Sequence, residues 1–225
     1  MTQILSNHTI FVYGASGHGK VVADILLARG IGVAGFVDDN AQSGSIHVLG
    51  LAVLGNGNWL AEQAKSRSIG VALGIGDNYA RQTVAKRCIA SHIQLLAAVH
   101  PFAVVAPSAR VSPGVVIMAA SVINPDAQIG TGAIVNTGAI VEHDCRVGDF
   151  AHLSPNAAMG GCAQLGSLSW LGIGATIIHG VTVGAGTIIG AGAVVVCDVP
   201  DEVVATGVPA RVRRHLCNKK DAIER

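Results

Sequence analysis

The sequence predicts two domains of different class: a small parallel α/β sheet over residues 1–98 and an all-β parallel β-helix over residues 99–225. Two observations carry the second prediction. Every sixth residue from Val105 to Val195 is Val, Ile, Leu or Met, sixteen positions without a miss. The residue four places after each of them is small or β-branched, as at Ala127, Ala133, Ala139, Cys145 and Ala151. A period of six fits neither an α-helix nor a simple hairpin sheet, and it is a signature of stacked hexapeptides. A third observation carries the first prediction: ahead of the repeat, short β-rich runs alternate with helical stretches, the pattern of parallel strands joined by crossover helices.

In chain order, Thr9–Tyr13 reads as a strand, and Gly14-Ala-Ser-Gly-His-Gly19 leads from it into a helix over Lys20–Arg29. Gly32–Val37 is a second strand ending in Asp38-Asp39-Asn40; Leu51–Leu54 a short strand; Asn58–Ser66 a helix; Ile69–Ile75 another strand. Asp77 or Asn78 is suited to N-cap the next helix, in which Ala80, Val84 and Cys88 share one face. Leu95–Val99 closes this Rossmann-like sheet, and His100-Pro101 marks the junction, because proline holds the preceding residue extended. The β-helix runs to about Val199, Thr206–Arg211 caps it, and a basic tail follows (Arg213, Arg214, Lys219, Lys220) that composition leaves open between a short helix and a frayed end.

Composition narrows the function classes. Half of the 225 residues are hydrophobic but only 4% aromatic, so the core is built from Val, Ile, Leu and Ala. A mean hydropathy of +0.51 invites a membrane assignment. Gly, Asn, Asp or Ser interrupts every apolar run before about 18 residues, so no spanning helix is expected. The net charge of +1 argues against nucleic acid as a partner. Between Val105 and Val195 there is no Lys, and the only Arg residues are Arg110 and Arg146. So sparsely charged a surface points to faces buried against other subunits. Five Cys without a CxxC pair do not form a disulfide framework. No basic segment with a following apolar stretch and cleavage site opens the chain, so a cytoplasmic protein is expected.

The repeat resembles that of the hexapeptide-repeat proteins, which implies a left-handed triangular prism with three hexapeptides per coil. Residues one coil apart then stack in columns: His143, Gly161 and His179 in one, Pro155, Ile173 and Ala191 in another. Two such columns from adjacent subunits bound a long groove suited to an extended ligand arm. The strongest local signal is the segment Ile134–Cys145, followed by His152-Leu-Ser154. In it His143 is flanked by Glu142 and Asp144 in an otherwise uncharged wall. A neighbouring carboxylate orients an imidazole and favours its protonated form, as a general base requires. A solvent-facing turn with incidental charges is the plain alternative.

Together, Gly14–Gly19, Asp38-Asp39 and the segment Asn136–Cys145 resemble the sialic acid O-acetyltransferase family of hexapeptide-repeat acyltransferases. That family includes the enzymes that acetylate the 4-amino group of nucleotide-linked amino sugars such as the bacillosamine precursor. The resemblance implies that His143 is the base and Asp144 its orienting partner. It implies that Asn136 helps hold the acceptor, and that His152, Gly161, Ile173 and Ala191 contact acetyl-CoA, with the backbone near Gly161 stabilising the oxyanion. Ala191 stands where the related bacillosamine enzyme has Gly. In the first domain, Ser16, Gly17, His18, Asp38, Asp39 and Gly76 match contacts to the nucleotide sugar. A glycine-rich turn at a helix N-terminus presents N–H groups to phosphate, although the order here is G-x-x-G-x-G and not the dinucleotide fingerprint. A plain tight turn is the alternative.

The expected protein is therefore a homotrimeric acetyltransferase moving acetyl from acetyl-CoA to the amino group of a UDP- or GDP-linked amino sugar, by direct attack and without metal. A sugar O-acetyltransferase of sialic acid type is the first alternative. A metalloenzyme like the γ-class carbonic anhydrases is the second, suggested by His143 and His179. Two coils separate those residues, roughly 9.6 Å by strand spacing, and Gly184 stands where the third ligand belongs. A non-catalytic scaffold is the last.

Overall fold

The computed structural model describes residues 8–40, 44 and 47–216. The chain divides into two compact units, Met1–Pro101 and Phe102–Arg225; Cys217, Lys219 and Lys220 of the basic tail lie outside the described residues.

The first unit contains β1 (Thr9–Tyr13), α1 (Gly17–Ala28), β2 (Gly35–Val37), β3 (His47–Val48), β4 (Leu51–Gly55), α2 (Gly57–Ala64), β5 (Ile69–Leu73), α3 (Asn78–Ala90) and β6 (Gln94–Leu95). The sheet order is β3-β4-β2-β1-β5-β6. β1 pairs in parallel with β2 on one side and β5 on the other. Phe11, Val12, Phe36, Val53 and Val71 are wholly buried between the layers. Each such side chain contributes roughly 1.5–3 kcal/mol of burial free energy.

Several boundaries differ from the sequence reading for local reasons. α1 starts three residues before Lys20, since the Ser16 carbonyl already accepts the Lys20 N–H at 3.0 Å. Asn56 caps α2 by accepting the Asn58 and Trp59 N–H groups, which brings Gly57 into the helix. Asp77 caps α3 through the Ala80 N–H at 2.8 Å. The buried face of α3 is Arg81, Val84, Ala85 and Cys88, while Ala80 is exposed. The expected Ala80–Val84–Cys88 face is thus rotated, because Arg81 turns inward to the Ile75 and Gly76 carbonyls in the loop after β5. The β3–β4 hairpin had no sequence signal; Leu49 and Gly50 turn it with φ of 52° and 76°.

The second unit holds sixteen two-residue strands, from Val104–Val105 to Val194–Val195, one per hexapeptide. Strands one coil apart pair in parallel, as Ile134, His152, Trp170 and Ile188 do in succession. The periodic residue of each coil points inward, and Ile117, Ile123, Val135, Val141 and Leu153 have no exposed surface. The small residue four places on fills the interior beside it; Cys145 is 0% exposed there. A larger side chain in that column forces neighbouring coils apart, which costs roughly 1–3 kcal/mol.

Left-handed backbone recurs every six residues, at Ala120, Asp126, Gly132, Gly138, Asp144 and onward to Gly192. These are the corners, where one αL residue turns the chain from one side to the next. Val203–Thr206 adds to the last coil in parallel and pairs antiparallel with Arg211–His215. Arg213 and Arg214 therefore lie in a strand, the question that composition had left open.

Candidate active site

In the first unit the strand order reverses direction at β1, with β2 on one side and β5 on the other. In parallel sheets, ligands bind beyond the carboxyl ends of strands at such a switch point. Here the turn Gly14–Gly19 and the loop Gly74–Asp77 meet there. Gly14 has φ +107°, and a side chain on it would meet the Gly74 carbonyl oxygen at 2.5 Å. A side chain on Gly74 would in turn meet the Gly19 Cα at 2.7 Å. These glycines let turn, helix start and strand end touch. Ser16 and Gly17 are exposed at the helix start, and their N–H groups have no acceptor among the described residues.

Asp38 is tied to this turn, accepting the Ala15 N–H through Oδ2 and the Asn40 N–H through Oδ1, both at 2.8 Å. A carboxylate has about four lone-pair sites, so both oxygens can accept more. Asp39 is more fully engaged. It accepts from the Tyr13 hydroxyl, the Gly57 N–H and the Arg87 guanidinium. Burial pushes its carboxyl up, but these three donors outweigh that and hold it below the usual carboxylate value. The same burial, with Asp39 alongside, raises the Tyr13 phenol. His18 stands beside Gly76, where an added Cβ would lie 4.0 Å from its own; burial, and then the Arg81 charge, bring its pKa down to about 4. Arg81 is wholly buried and donates to the Ile75 and Gly76 carbonyls and to Asn78 Oδ1.

In the second unit the sequence-predicted residues occupy two corners, at opposite edges of one side of the prism. At one corner His143 Nδ1 lies 2.8 Å from Asp144 Oδ2. That bond, the largest cause, raises the imidazole pKa above its ordinary value, and Glu142 adds to it. The ring lies over Gly161: a Cβ there would stand 2.6 Å from Nε2 and 2.7 Å from Cε1. Gly161 does not have positive φ, so the approach of the ring, not backbone strain, excludes a side chain. The Gly161 N–H has no acceptor among the described residues.

At the other corner the Asn136 amide donates to His152 Nε2 at 3.0 Å, while its Oδ1 accepts the Thr137 N–H at 2.8 Å. That orientation places the proton of the neutral His152 ring on Nδ1. His152 is 5% exposed and lies against Trp170, with ring centroids 4.4 Å apart. Trp170 in turn donates to Ser154 Oγ at 2.7 Å. Ile173 and Ala191 stack at the same corner, linked by the Gly192 N–H to the Ile173 carbonyl, and Ile173 is 60% exposed. A groove of about 540 Å³ lies on another side, lined by Arg110, Gln128, Arg146 and Gln164. It is not where the imidazole stands.

Residues 9–88 match the family model described as the PglD N-terminal domain. PerB from Caulobacter crescentus, solved with CoA and GDP-perosamine, is 43% identical over 92% of this chain and 97% of that one, with a TM-score of 0.87; a mutant solved from the same organism is described as perosamine N-acetyltransferase. The chain belongs to the nucleotide-sugar N-acetyltransferase family. The acetyltransferase domain of PglB from Neisseria gonorrhoeae, solved with acetyl coenzyme A, is 36% identical over 92% of this chain and all of that one, with a TM-score of 0.85. WeeI from Acinetobacter baumannii is 26% identical over the same shares, with a TM-score of 0.81. Comparison with curated proteins gives no match. The prism is thus the left-handed β-helix of these N-acetyltransferases. No helix among the described residues is long and apolar enough to cross a membrane.

In this N-acetyltransferase, sequence reasoning missed four residues in or beside the candidate sites. Trp170 was within reach, since it lies one coil after His152 in the same column. Cys162, one coil beyond Asp144, was legible by the same rule. Arg81 and Arg87 carried no signal, because helical periodicity does not say which cation turns inward.

Proposed function

We propose that this chain transfers the acetyl group of acetyl-CoA to the 4-amino group of an amino sugar carried on a nucleoside diphosphate. His143 is the base and Asp144 positions it. The observation that carries this is the His143 ring itself: Nδ1 bonded to Asp144 leaves the Nε2 lone pair outward above Gly161. As the sugar amine attacks the thioester carbonyl, a C–N bond forms and Nε2 takes the amine proton. The C–S bond then breaks, and the CoA thiolate leaves with that proton. The Gly161 N–H supports the developing oxyanion.

The first unit, near residues 1–98, holds the nucleotide sugar. Ser16, Gly17 and His18 receive the diphosphate at the start of α1; Asp38, Asp39 and Gly76 bound the crevice. Asp38 has the freer carboxylate and makes the direct contact; Asp39 shapes the wall. In the second unit, near 99–225, Asn136 orients the acceptor, and His152, Ile173 and Ala191 line the path of acetyl-CoA. We place the reaction in the cytoplasm of the cell.

The two corners lie one side of the prism apart, on the order of 15–20 Å at strand rise. In this reading a thioester on the Ile173 column of one protomer meets His143 of a neighbour, and the protein works as a homotrimer with its sites between copies. Exposed Val104, Ile140, Ile178 and Val196 on so lightly charged a prism support burial against other copies. The test is acetyl transfer to GDP- and UDP-linked amino sugars by wild type and His143→Ala. Turnover should fall at least a hundredfold while acetyl-CoA binding persists; wild-type kcat in the variant removes His143 from the mechanism.

A further inference from the structure

The corner that carries His143 also gathers the donor set of a zinc-type ion. His143, Asp144 and Cys162 each offer a ligand atom, and the three atoms lie within 4.8 Å of one another. The fold explains why. Asp144 and Cys162 are one coil apart, at the same corner of consecutive coils, with matching left-handed φ of 60°. Their side chains therefore leave the backbone in the same direction, one strand spacing apart. The Cys162 N–H donates to the His143 carbonyl at 2.9 Å, which fixes this register. Cys162 is exposed, so its thiol is accessible to an ion. Glu142 adds a second carboxylate next to His143 in this segment.

We infer that His143, Asp144 and Cys162 form an inhibitory site for a thiophilic divalent cation of zinc type. Zn–N and Zn–O bonds of roughly 2.0–2.2 Å and Zn–S bonds of about 2.3 Å place tetrahedral ligands roughly 3.3–3.7 Å apart. Small side-chain rotations of these exposed groups reach that spacing. Coordination releases the Cys162 thiol proton to solvent and draws the imidazole and its carboxylate partner onto the ion. The donor set of one thiolate, one imidazole and one carboxylate suits zinc and cobalt better than magnesium or calcium, which prefer oxygen ligands. An ion held here occupies the imidazole lone pair that would accept the amine proton, so it blocks the reaction and does not serve it. Inhibition, though not binding, rests on the reading of His143 as the base.

The test uses the full chain stripped of metal by chelator. Cobalt(II) titrated into wild type should give the near-ultraviolet thiolate-to-cobalt charge-transfer band, and Cys162→Ser should abolish it. Cys162→Gly, the residue type that the next coil carries at Gly180 with φ +69°, serves as a second variant in case serine perturbs the corner. Without metal, both variants should turn over like wild type, and half-inhibition should need at least tenfold more zinc. Absence of the band in wild type, or equal zinc sensitivity in all three proteins, overturns the site. A band that depends on Cys162, with turnover indifferent to zinc, keeps the site and removes His143 as base.

Discussion

Gly161→Ala tests the placement of the imidazole most directly. The added Cβ stands 2.6 Å from His143 Nε2 and 2.7 Å from Cε1, where ordinary contact begins at 3.4 Å. The backbone at this position accepts alanine without strain, so the ring must yield, withdrawing by about 0.8 Å at Nε2 to regain van der Waals contact. Misplacing a reacting group by ~1 Å costs on the order of a hundredfold in rate, or about 2.7 kcal/mol of transition-state stabilisation. The side chain of His143 is 54% exposed and moves into solvent, so the melting temperature should stay close to that of wild type. Alanine keeps the backbone N–H, so the loss cannot be assigned to a missing oxyanion donor. The assay is steady-state acetyl transfer with acetyl-CoA saturating and the nucleotide sugar varied, beside a thermal melt. Undiminished kcat in a folded Gly161→Ala protein would falsify the placement of His143 as the base.

Asp144→Asn removes the bond that raises the His143 pKa. The reactive form is the neutral ring, present above that pKa, so log kcat/KM should climb with pH through a raised value in wild type. In the variant this limb should move to lower pH, towards the ordinary 6.5, with the plateau reduced about tenfold or more; an unmoved limb contradicts the pairing. His152→Ala removes the ring between Asn136 and Trp170 and should weaken acetyl-CoA binding about tenfold by calorimetry, with the sugar's affinity little changed. Equal loss for both ligands argues against that assignment. His18 has a folded pKa of about 4 against an ordinary 6.5. The unfolded chain therefore binds the extra proton first, and stability present above pH 6.5 drains away as pH falls towards 4. The full effect is on the order of 3 kcal/mol, and His18→Gln should flatten that part of the melting-temperature profile.

Much of this architecture is legible without coordinates because the hexapeptide is a strictly local rule. Val105, Val111, Ile117 and their successors face inward since each coil repeats the same geometry, and the columns follow by counting three hexapeptides at a time. That is why His143, Gly161 and the Ile173–Ala191 column could be named in advance. The corner residues were also written in the sequence, as Gly, Asp or Asn at 126, 132, 138, 144 and 156, but Phe150, Cys162 and Leu168 hide the pattern by adopting αL backbone without the usual side chain.

The sequence by itself determined the class of each unit, the inward columns and the pair of residues at 143 and 144. Only the tertiary structure decided that the imidazole turns over Gly161, that Asp39 is bound by Tyr13 and Arg87, and that Arg81 faces inward. The physical reason is one of range. Periodicity sets which way a side chain leaves the backbone, whereas its partner is set by which distant segment the packed chain brings within a few ångströms of it.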